Sequence, residues 1–440
     1  PLSALAAPSN EEILVYCFLR GGIDGANVVV PLDANDHEYY SIMRPVLAIP
    51  DTGDDAALPL GVEPFGLNPA ATALKDLYDA GHLAVINAVG VKNATASRSH
   101  FDAQKDIELG TPGTIGTFTG WLHRHFLSMT DTLNLYPEEI FVPIMALSSN
   151  PPTSLLGNDA TLSVSSPGNF KLNNAYWRWD TGNSGYMQLE AMPDIYNVGS
   201  SQFDIAGSQA LAAEAILRTS YDRSYTGAGT LPYGSSSTAR RFSDVAQMIK
   251  LDMGTRLFTI DIGGWDTHTG QDAAGAYNTP LANLSNAIAA FLDDLESSGG
   301  TLADRTTIII QSEFGRRLYE NVSRGTDHGN GNFMMAIGKN VNGGAVYGTW
   351  PGLYPGTADE WVDYPNPKTD SELPELYNGA LSVTTDFRRI LAEYLSLRCQ
   401  HSAATLGYVF PGYTGYSPMG IFNALPEPSE SIFSDSFEGS

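Results

Sequence analysis

The stretch ILVYCFLRGG, residues 13–22, decides the fold. Its first seven residues, 13–19, are all apolar, and the run ends at a pair of glycines. A strand with one face in water would alternate polar and apolar residues, so this run predicts a strand that is covered on both faces. Such strands are typical of parallel sheets with helices packed on each side.

The same pattern recurs along the chain, with helical segments between the buried runs. Further strands are predicted at 83–90, 139–147, 256–264, 305–315 and 332–339. Helices are predicted at 68–81, 118–127, 209–223, 239–254, 281–299 and 384–397. Helices between buried strands indicate an α/β fold: a doubly wound, mostly parallel sheet with helices on both faces.

Composition changes divide the chain into regions. Residues 1–11 are small and polar, and residues 12–409 read as a single α/β domain. Within it, Ser, Asn, Gly, Thr and Tyr dominate about 150–235, which indicates an irregular insertion or lid over the sheet. The segment 410–440 is rich in Pro, Gly and Ser and ends acidic, so we interpret it as a tail.

The charge balance excludes several classes of partner. The 440 residues hold 24 Lys and Arg against 49 Asp and Glu, a net charge of −25. Such a surface repels phosphate backbones and anionic lipid, which argues against nucleic-acid and membrane-surface binding. No stretch approaches 18 apolar residues, so no transmembrane segment is predicted. An anionic substrate would need a local cation, either arginine or a metal.

The first residues, PLSALAAPSNEE, and the two cysteines bear on the compartment. The Ala-x-Ala step at 4–6 is what the end of a signal peptide looks like, and a flexible terminus of small residues is the alternative. The first interpretation implies export to the periplasm, the cell surface or the medium. Cys17 and Cys399 are expected to be buried free thiols rather than a bridge.

Five predicted loops carry polar side chains between glycines, at one edge of the predicted sheet. In chain order they contain Arg20, Asp24 and Asn27; Arg98, Ser99 and His100; Asp266 and His268; Ser312, Glu313 and Arg316; and Asp327 and His328. Ligands of open α/β sheets bind beyond the carboxyl ends of the strands, so these side chains are the candidate site.

Each piece also has an ordinary structural interpretation. Asp-Gly tracts are common turn chemistry, so Asp24 alone is a turn residue, and Arg98 and Arg316 could be surface charges. The pair Asp266 and His268 is stronger, because alternate residues of an extended segment point the same way and suit two ligands of one metal. The shared placement favours a site. The other histidines, 37, 82, 123, 125 and 401, are interpreted as structural or exposed.

Several blocks resemble the bacterial domain-of-unknown-function family 1501. They are FLRGGIDGANVVVP, RSHFDAQ, GGWDTHTGQ, SEFGRR, GTDHGNGNF and GGAVYGTWPGL, in that order between about residues 12 and 397. That family is similar to the alkaline phosphatase and sulfatase superfamily, and its members are often exported, frequently by the twin-arginine route. The resemblance implies an alkaline phosphatase-like fold but brings no well-established activity.

The superfamily pattern implies roles for individual residues. It suggests Asp24 as a ligand of one metal, Ser99 as the nucleophile at a helix start, and Asp266 and His268 with the late His328 as ligands of a second metal. Where the superfamily has an Asp-His pair, this chain has Glu313 and a phenylalanine. The first metal site is therefore carboxylate-rich, uses His100 instead, or is empty.

The leading hypothesis is an exported metal-dependent hydrolase of phosphate or sulfate esters. Ser99 would attack, with Arg98 and the helix start near His100 stabilising the anion; the alternative nucleophile is a metal-bound hydroxide. We expect Arg20, Asn27, Arg316 and Asp327 to bind an anionic ester or polysaccharide substrate. Histidine ligands favour zinc or manganese, and a carboxylate-heavy set would accept calcium or magnesium.

The alternative hypothesis is a secreted structural or carbohydrate-interacting protein that keeps the fold with a degraded site. The phenylalanine after Glu313 and the acidic tail favour it, as do the insertion's aromatics: Tyr176, Trp177, Trp179, Tyr186 and Tyr196. Those aromatics could stack on sugars or form a small core under a lid. The sequence leaves the oligomeric state open.

Overall fold

The structure, a computed structural model, is described for most of the chain. The described residues are 12–92, 96–113, 116–133, 142–158, 160–170, 192, 194–196, 199, 201–299, 301–353, 376–377 and 379–425. Four of the five aromatics of the insertion (176, 177, 179 and 186) and the end of the acidic tail lie outside these residues.

Strands and helices alternate along most of the chain. The strands are β1 Ile13–Leu19, β2 Val29–Pro31, β3 Leu58–Pro59, β4 Phe65–Leu67, β5 Leu83–Gly90, β6 Ile144–Ala146, β7 Thr161–Ser163, β8 Leu257–Ile262, β9 Thr306–Ser312, β10 Asn332–Ile337, β11 Ala345–Tyr347, β12 Leu376–Tyr377, β13 Ala380–Leu381 and β14 Thr385–Asp386. The α-helices are α1 Ala34–Met43, α2 Thr72–Asp79, α3 His100–Leu109, α4 Trp121–Leu133, α5 Gln202–Ser220, α6 Ser237–Lys250, α7 Asn278–Ser297, α8 Phe387–Leu397 and α9 Ala403–Val409.

One large mixed sheet organises the molecule. Its strand order is β11-β5-β10-β9-β1-β8-β6-β7, with β14 beside β5. All the pairings are parallel except those of β10, which runs antiparallel to both β5 and β9. The fold class predicted from the sequence, α/β with a mostly parallel sheet, is confirmed.

Both faces of this sheet are covered, as the unbroken apolar run of β1 predicted. Alternate residues of β1 enter two separate cores: Val15 and Cys17 pack with α6 and α7, whereas Leu14 and Tyr16 pack with α4 and α8. All seven β1 residues are buried. Because successive side chains of a strand point to opposite faces, a strand can be apolar throughout only when both faces are covered.

The direction of β10 decides where its loops lie. The segment GTDHGNGN precedes β10, whereas the other candidate loops follow β1, β5, β8 and β9. Since β10 is antiparallel to its neighbours, its amino end lies at the same edge of the sheet as their carboxyl ends. All five candidate loops therefore start from one edge.

Two boundaries differ from the sequence prediction. Strand β7 lies inside the region 150–235 yet pairs with β6 at the edge of the main sheet, so that region is partly built into the fold. Ile421 and Phe422 are buried, and Ile421 donates its backbone N–H to Glu393 at 2.6 Å. Residues 421–422, inside the segment interpreted as a tail, therefore pack on the domain.

Some elements had no clear sequence signal. The small antiparallel sheet β3-β4-β2 and helix α9 were not predicted, and helix α1 lies in a segment with weak apolar periodicity. Cys17 and Cys399 are free thiols, as expected. Among the described residues, no helix combines the length and the apolar character needed to cross a membrane.

A buried histidine pair joins α4 to the segment before α9. Nδ1 of His125 lies 2.8 Å from Nε2 of His401, and both rings are buried. Burial lowers the pKa of His125 well below its ordinary value and lowers the pKa of His401 to about 4. Each ring is therefore neutral in the folded state at pH values where the unfolded chain would bind a proton.

This pair predicts a loss of stability in mild acid. The unfolded histidines take up protons below about pH 6.5 and the folded ones do not, so the free energy of unfolding should fall from there towards pH 4. One such histidine accounts for about 2 kcal/mol between pH 7 and pH 5. In urea unfolding at several pH values, His401→Gln should show a shallower decline than the wild type. His82→Gln, at the start of β5, is the control, and equal slopes in all three proteins would contradict the assignment.

Candidate metal centre

Three side chains from three of the candidate loops converge at the carboxyl edge of the sheet. His100 is the first residue of α3, Asp266 follows β8, and His328 precedes β10. One ligand atom from each lies within 4.8 Å of the others. Two imidazoles and a carboxylate at this spacing form a group that can hold a divalent metal.

A single carboxylate oxygen lies at the centre of the cluster. Oδ1 of Asp266 is 3.5 Å from Nε2 of His100, 3.5 Å from Nε2 of His328 and 3.1 Å from Nε2 of His268. The Nε2 atoms of His268 and His328 are 2.8 Å apart. His268 is therefore a fourth candidate ligand, beside two members of the group.

The opposite nitrogen of each ring is held by an acceptor. Nδ1 of His100 lies 2.8 Å from Glu313, that of His268 lies 3.0 Å from Asp327, and that of His328 lies 2.6 Å from the carbonyl oxygen of Arg98. A carboxylate and a carbonyl only accept, so each Nδ1 carries a proton, and the Nε2 of a neutral ring then presents a lone pair. Metal-binding histidines are oriented in this way.

The close pair of Nε2 atoms tests whether the group suits a cation. With both protons on Nδ1, His268 and His328 direct two lone pairs at each other across 2.8 Å. Nε2 of His100 is also buried and has no hydrogen-bond partner in the described part of the chain. Burial and the positive charge of Arg316 lower the pKa of His328, which keeps this ring neutral. A divalent cation satisfies all three nitrogens, so these residues fit a metal.

Arg316 fixes the loops around the cluster. Its side chain is fully buried and donates to the carbonyl oxygens of Gly21, Gly22 and Thr326, and to Asp266 at 2.7 Å. Partial burial raises the pKa of Asp266, but the hydrogen bond and charge of Arg316 outweigh it and hold that pKa below its ordinary value. The expectation that Arg316 binds substrate is therefore corrected, because its N–H groups are used inside the protein.

Asp24 does not join the metal group. Its carboxylate accepts hydrogen bonds from both terminal nitrogens of Arg44, at 2.6 and 2.9 Å, and both side chains are almost completely buried. Gln271 also donates to it at 2.6 Å. The expected metal ligand is instead the acid of an internal ion pair, and the guanidinium already balances its charge.

Asn27 belongs to the same internal network. Its side-chain oxygen accepts from Tyr40 at 2.6 Å and from Arg44 at 2.7 Å, and its nitrogen donates to the carbonyl of Leu47. The side chain is buried, with every polar atom satisfied inside the protein. The expectation that Asn27 binds substrate is corrected in the same way.

Breaking this ion pair should cost stability without affecting metal. Asp24→Asn leaves the Arg44 guanidinium buried without its counter-charge, so we expect a loss of about 3–5 kcal/mol in the free energy of unfolding. Urea unfolding with and without chelator measures both effects. Asp272→Asn, which removes an exposed pair with Arg324, is the control and should cost at most about 1 kcal/mol. Loss of bound metal at near-normal stability would restore Asp24 as a ligand.

Glu313 orients a ligand and is already saturated. Its Oε1 accepts from Gly21 N at 2.8 Å, from Gln104 at 3.0 Å and from the His100 ring at 2.8 Å, and its Oε2 accepts from Ser312 at 2.9 Å. Burial raises the pKa of Glu313, and these hydrogen bonds outweigh that effect and lower it. The structure thus places Glu313 behind His100, not in the ligand group where it was expected.

Asp327 and Arg20 have partners inside the protein. Asp327 accepts from His268 at 3.0 Å and from Asn321 at 3.1 Å, both on Oδ1, so it orients a ring of the cluster. Its side chain is half exposed, and the expectation that it binds substrate stays a prediction. Arg20, also expected to bind substrate, pairs with Glu108 at 2.8 Å and with Asp261 at 3.0 Å. Its guanidinium ties β1 to β8 and α3.

Ser99 lies between two segments of the cluster. The carbonyl of the preceding Arg98 binds His328, and the following residue is His100. Ser99 occupies the N-cap position of α3, yet its side chain makes no capping hydrogen bond. The hydroxyl is therefore not used to cap the helix. The Arg98 side chain reaches Asn330 at 3.3 Å, across the loop that carries His328.

Phe314 forms an apolar wall beside the histidines. Its ring centroid is 4.9 Å from that of His100 and 4.7 Å from that of His328. Gly22 makes room for it: at φ +60°, an added Cβ there would lie 2.4 Å from the Phe314 ring. Where the superfamily pattern implies a further ligand, the chain packs an aromatic ring.

Sequence reasoning missed several residues that support the site. Gln104 donates to Glu313 and lies one helical turn after His100. This spacing places both side chains on the same face of α3, so the sequence did offer a signal for Gln104. Asn321 holds both Asp327 and the carbonyl of His268. Arg44 binds Asp24 from 20 residues away, and no local pattern marks it.

The fold and the cluster together define an α/β protein with a candidate metal centre at the edge of its sheet. Residues 238–367 match the model of a family described as protein of unknown function (DUF1501), which confirms the resemblance noted in the sequence. The matched segment contains Asp266, His268 and His328 but not His100.

The chain is also similar to a solved structure, that of alkaline phosphatase from the Antarctic bacterium TAB5. The sequence identity is 9% and the TM-score is 0.30, over 77% of this chain and 95% of that one. No curated protein matches the chain.

Proposed function

We propose that the chain is a metal-dependent hydrolase of phosphate or sulfate esters. The observation that carries this proposal is the group of His100, Asp266 and His328, in which each Nε2 faces one carboxylate oxygen and each Nδ1 is held from behind. Structural histidines also need an acceptor for a buried N–H, but here the Nε2 atoms of His268 and His328 face each other at 2.8 Å, which suits a bound cation. His268 is the proposed fourth ligand.

The proposed metal is a single divalent ion. Asp24 is neutralised by Arg44, and Glu313 is saturated by four donors, so the described residues supply one ligand group at this edge. Three imidazoles favour zinc or manganese over calcium or magnesium, which prefer all-oxygen sites. When bound, the ion would polarise the ester oxygen and lower the pKa of a nearby hydroxyl or water.

The remaining steps belong to the side chains of this chain. We assign nucleophilic attack to the Ser99 hydroxyl, which makes no capping hydrogen bond with α3. The backbone N–H groups at the start of α3 and the Arg98 guanidinium would stabilise the anion that forms. Asp327 and Glu313 keep two rings in the required tautomer.

One experiment tests the proposal directly. Metal analysis of the purified protein by mass spectrometry should find about one zinc or manganese per chain. A panel of phosphate monoesters, phosphate diesters and sulfate esters should reveal turnover that chelator removes and that added metal restores. A protein without metal, whose melting temperature ignores both chelator and added zinc or manganese, would contradict the proposal.

The second candidate is a secreted structural or carbohydrate-interacting protein without catalysis. The internal use of Asp24 and Glu313, and the Phe314 ring beside the histidines, favour it because they remove ligands that the superfamily pattern implies. Metal bound at one ion per chain without turnover of any ester would support this candidate. We expect export in either case, on the strength of the family resemblance.

A further inference from the structure

A cavity lies in the region predicted as an insertion. It measures about 210 Å³ and opens between the turn 167–170, helix α5 and the loop that follows α5. None of its lining residues belongs to the candidate metal centre. An apolar cavity of about 150 Å³ already accommodates benzene, so this one has room for a small organic molecule.

A buried carboxylate lines this cavity with one oxygen unsatisfied. The Glu214 side chain is 2% exposed, and its Oε2 lies 3.4 Å from Nε of Arg218. Its Oε1 is buried and has no hydrogen-bond partner among the described residues. Buried carboxylate oxygens are nearly always satisfied, and an orphan that lines a roomy polar cavity calls for a donor from a ligand.

Positive charge lies at the rim of the same cavity. The Arg218 side chain is 52% exposed, so its guanidinium remains accessible from the solvent. Arg223 also lines the cavity, and its Nη2 is fixed by the carbonyl of Gly168 at 2.6 Å. In a chain with a net charge of −25, two arginines at one opening mark a place that favours an anion.

An aromatic wall completes the cavity and is held rigidly. The Tyr221 hydroxyl donates to Asp244 at 2.7 Å and contacts Ser166 at 3.0 Å, and the ring lines the cavity beside Phe170. The cavity thus offers an acceptor at its buried end, donors at its rim and an apolar side.

We propose that this cavity binds a small carboxylate that also carries a hydrogen-bond donor. The donor, an ammonium or a hydroxyl group, would bind Oε1 of Glu214, and the carboxylate would pair with Arg218 and Arg223. Amino acids and sugar acids share this chemistry. The site is independent of the proposed hydrolase chemistry.

Isothermal titration calorimetry of the full chain tests the proposal with four probes. L-alanine and D-glucuronate carry both groups, acetate lacks the donor, and D-glucose lacks the carboxylate. We expect L-alanine or D-glucuronate to bind at least about tenfold more tightly than acetate and D-glucose, and the better of the two identifies the source. The proposal would be overturned if neither L-alanine nor D-glucuronate binds at about 10 mM. It would also be overturned if acetate or D-glucose binds as tightly as the better of those two.

Two variants separate a binding site from a structural feature. Glu214→Gln keeps the shape but removes the charge, and Arg218→Gln alters an exposed residue, so both should weaken binding at least about tenfold. Glu296→Gln, an exposed acid on α7 that lies 3.8 Å from Lys339, should bind like the wild type. Without ligand, Glu214→Gln should melt no lower than the wild type, because it removes a buried charge. Wild-type affinity in Glu214→Gln would refute the assignment.

Discussion

His328→Ala should abolish tight binding of a divalent metal and any ester hydrolysis that depends on it. The ring contributes Nε2 at 3.5 Å from Asp266 and 2.8 Å from the Nε2 of His268, so its loss opens the centre of the cluster. Mutation of residues that only orient a metal ligand typically costs about 10–100-fold in affinity. Removal of a ligand itself should therefore cost more than about 100-fold.

A graded series makes this result specific. His268→Ala should lose metal and activity as well, while Glu313→Gln, behind His100, should show the smaller loss of an orienting residue. His82 directly precedes the amino end of β5, whereas the cluster lies at the carboxyl edge of the sheet, so His82→Ala should keep both metal and activity. Metal titration of each variant, with circular dichroism to verify folding, decides the matter. Full metal content in His328→Ala would exclude this ring as a ligand.

Much of the fold followed from periodicity because burial on both faces leaves a plain pattern. The unbroken apolar run of β1 and the three consecutive isoleucines of β9 marked central strands, and the predicted 83–90 coincides with β5. The helices that cover them showed regular apolar spacing and were also predicted. Short edge strands and α1 carry too few periodic residues to produce such a signal.

The convergence of the site residues could be predicted, but their roles could not. Ligands of open α/β sheets bind at the carboxyl edge of the strands, and this rule predicted that His100, Asp266 and His328 lie close together, as they do in the structure. Which carboxylate ligates and which orients depends on partners far along the chain. Asp24 accepts hydrogen bonds from Arg44 and Gln271, and Glu313 accepts one from Gly21, 292 residues away. Neither role can therefore be predicted from a local motif.

Arg316 illustrates the same limit. Its position in a glycine-flanked loop of a chain with few cations indicated substrate binding. In the fold, three carbonyl oxygens from two tight loops, those of Gly21, Gly22 and Thr326, need donors at that place, and one buried guanidinium supplies them. A loop-rich site requires an internal donor of this kind, because buried carbonyls without partners destabilise the fold.

Ser99→Ala should lower kcat by at least about 10³-fold against the best ester of the panel while the metal content stays at the wild-type value. The variant removes only the hydroxyl of a residue whose backbone neighbours, Arg98 and His100, hold the cluster through a carbonyl and a ring. Those contacts survive the substitution. The KM should change little, since the loss falls on the transition state and not on ground-state binding.

The alternative nucleophile gives a different outcome in the same assay. If water attacks instead, Ser99→Ala retains nearly full kcat while His328→Ala does not, and the serine then has no chemical role. Ser97→Ala is the matched control, because this serine accepts from the Ser99 backbone N–H at 3.1 Å and precedes it by two residues. It should keep kcat in either case. A drop in both serine variants would indicate a disturbed loop, since only the nucleophile's own hydroxyl should control the chemical step.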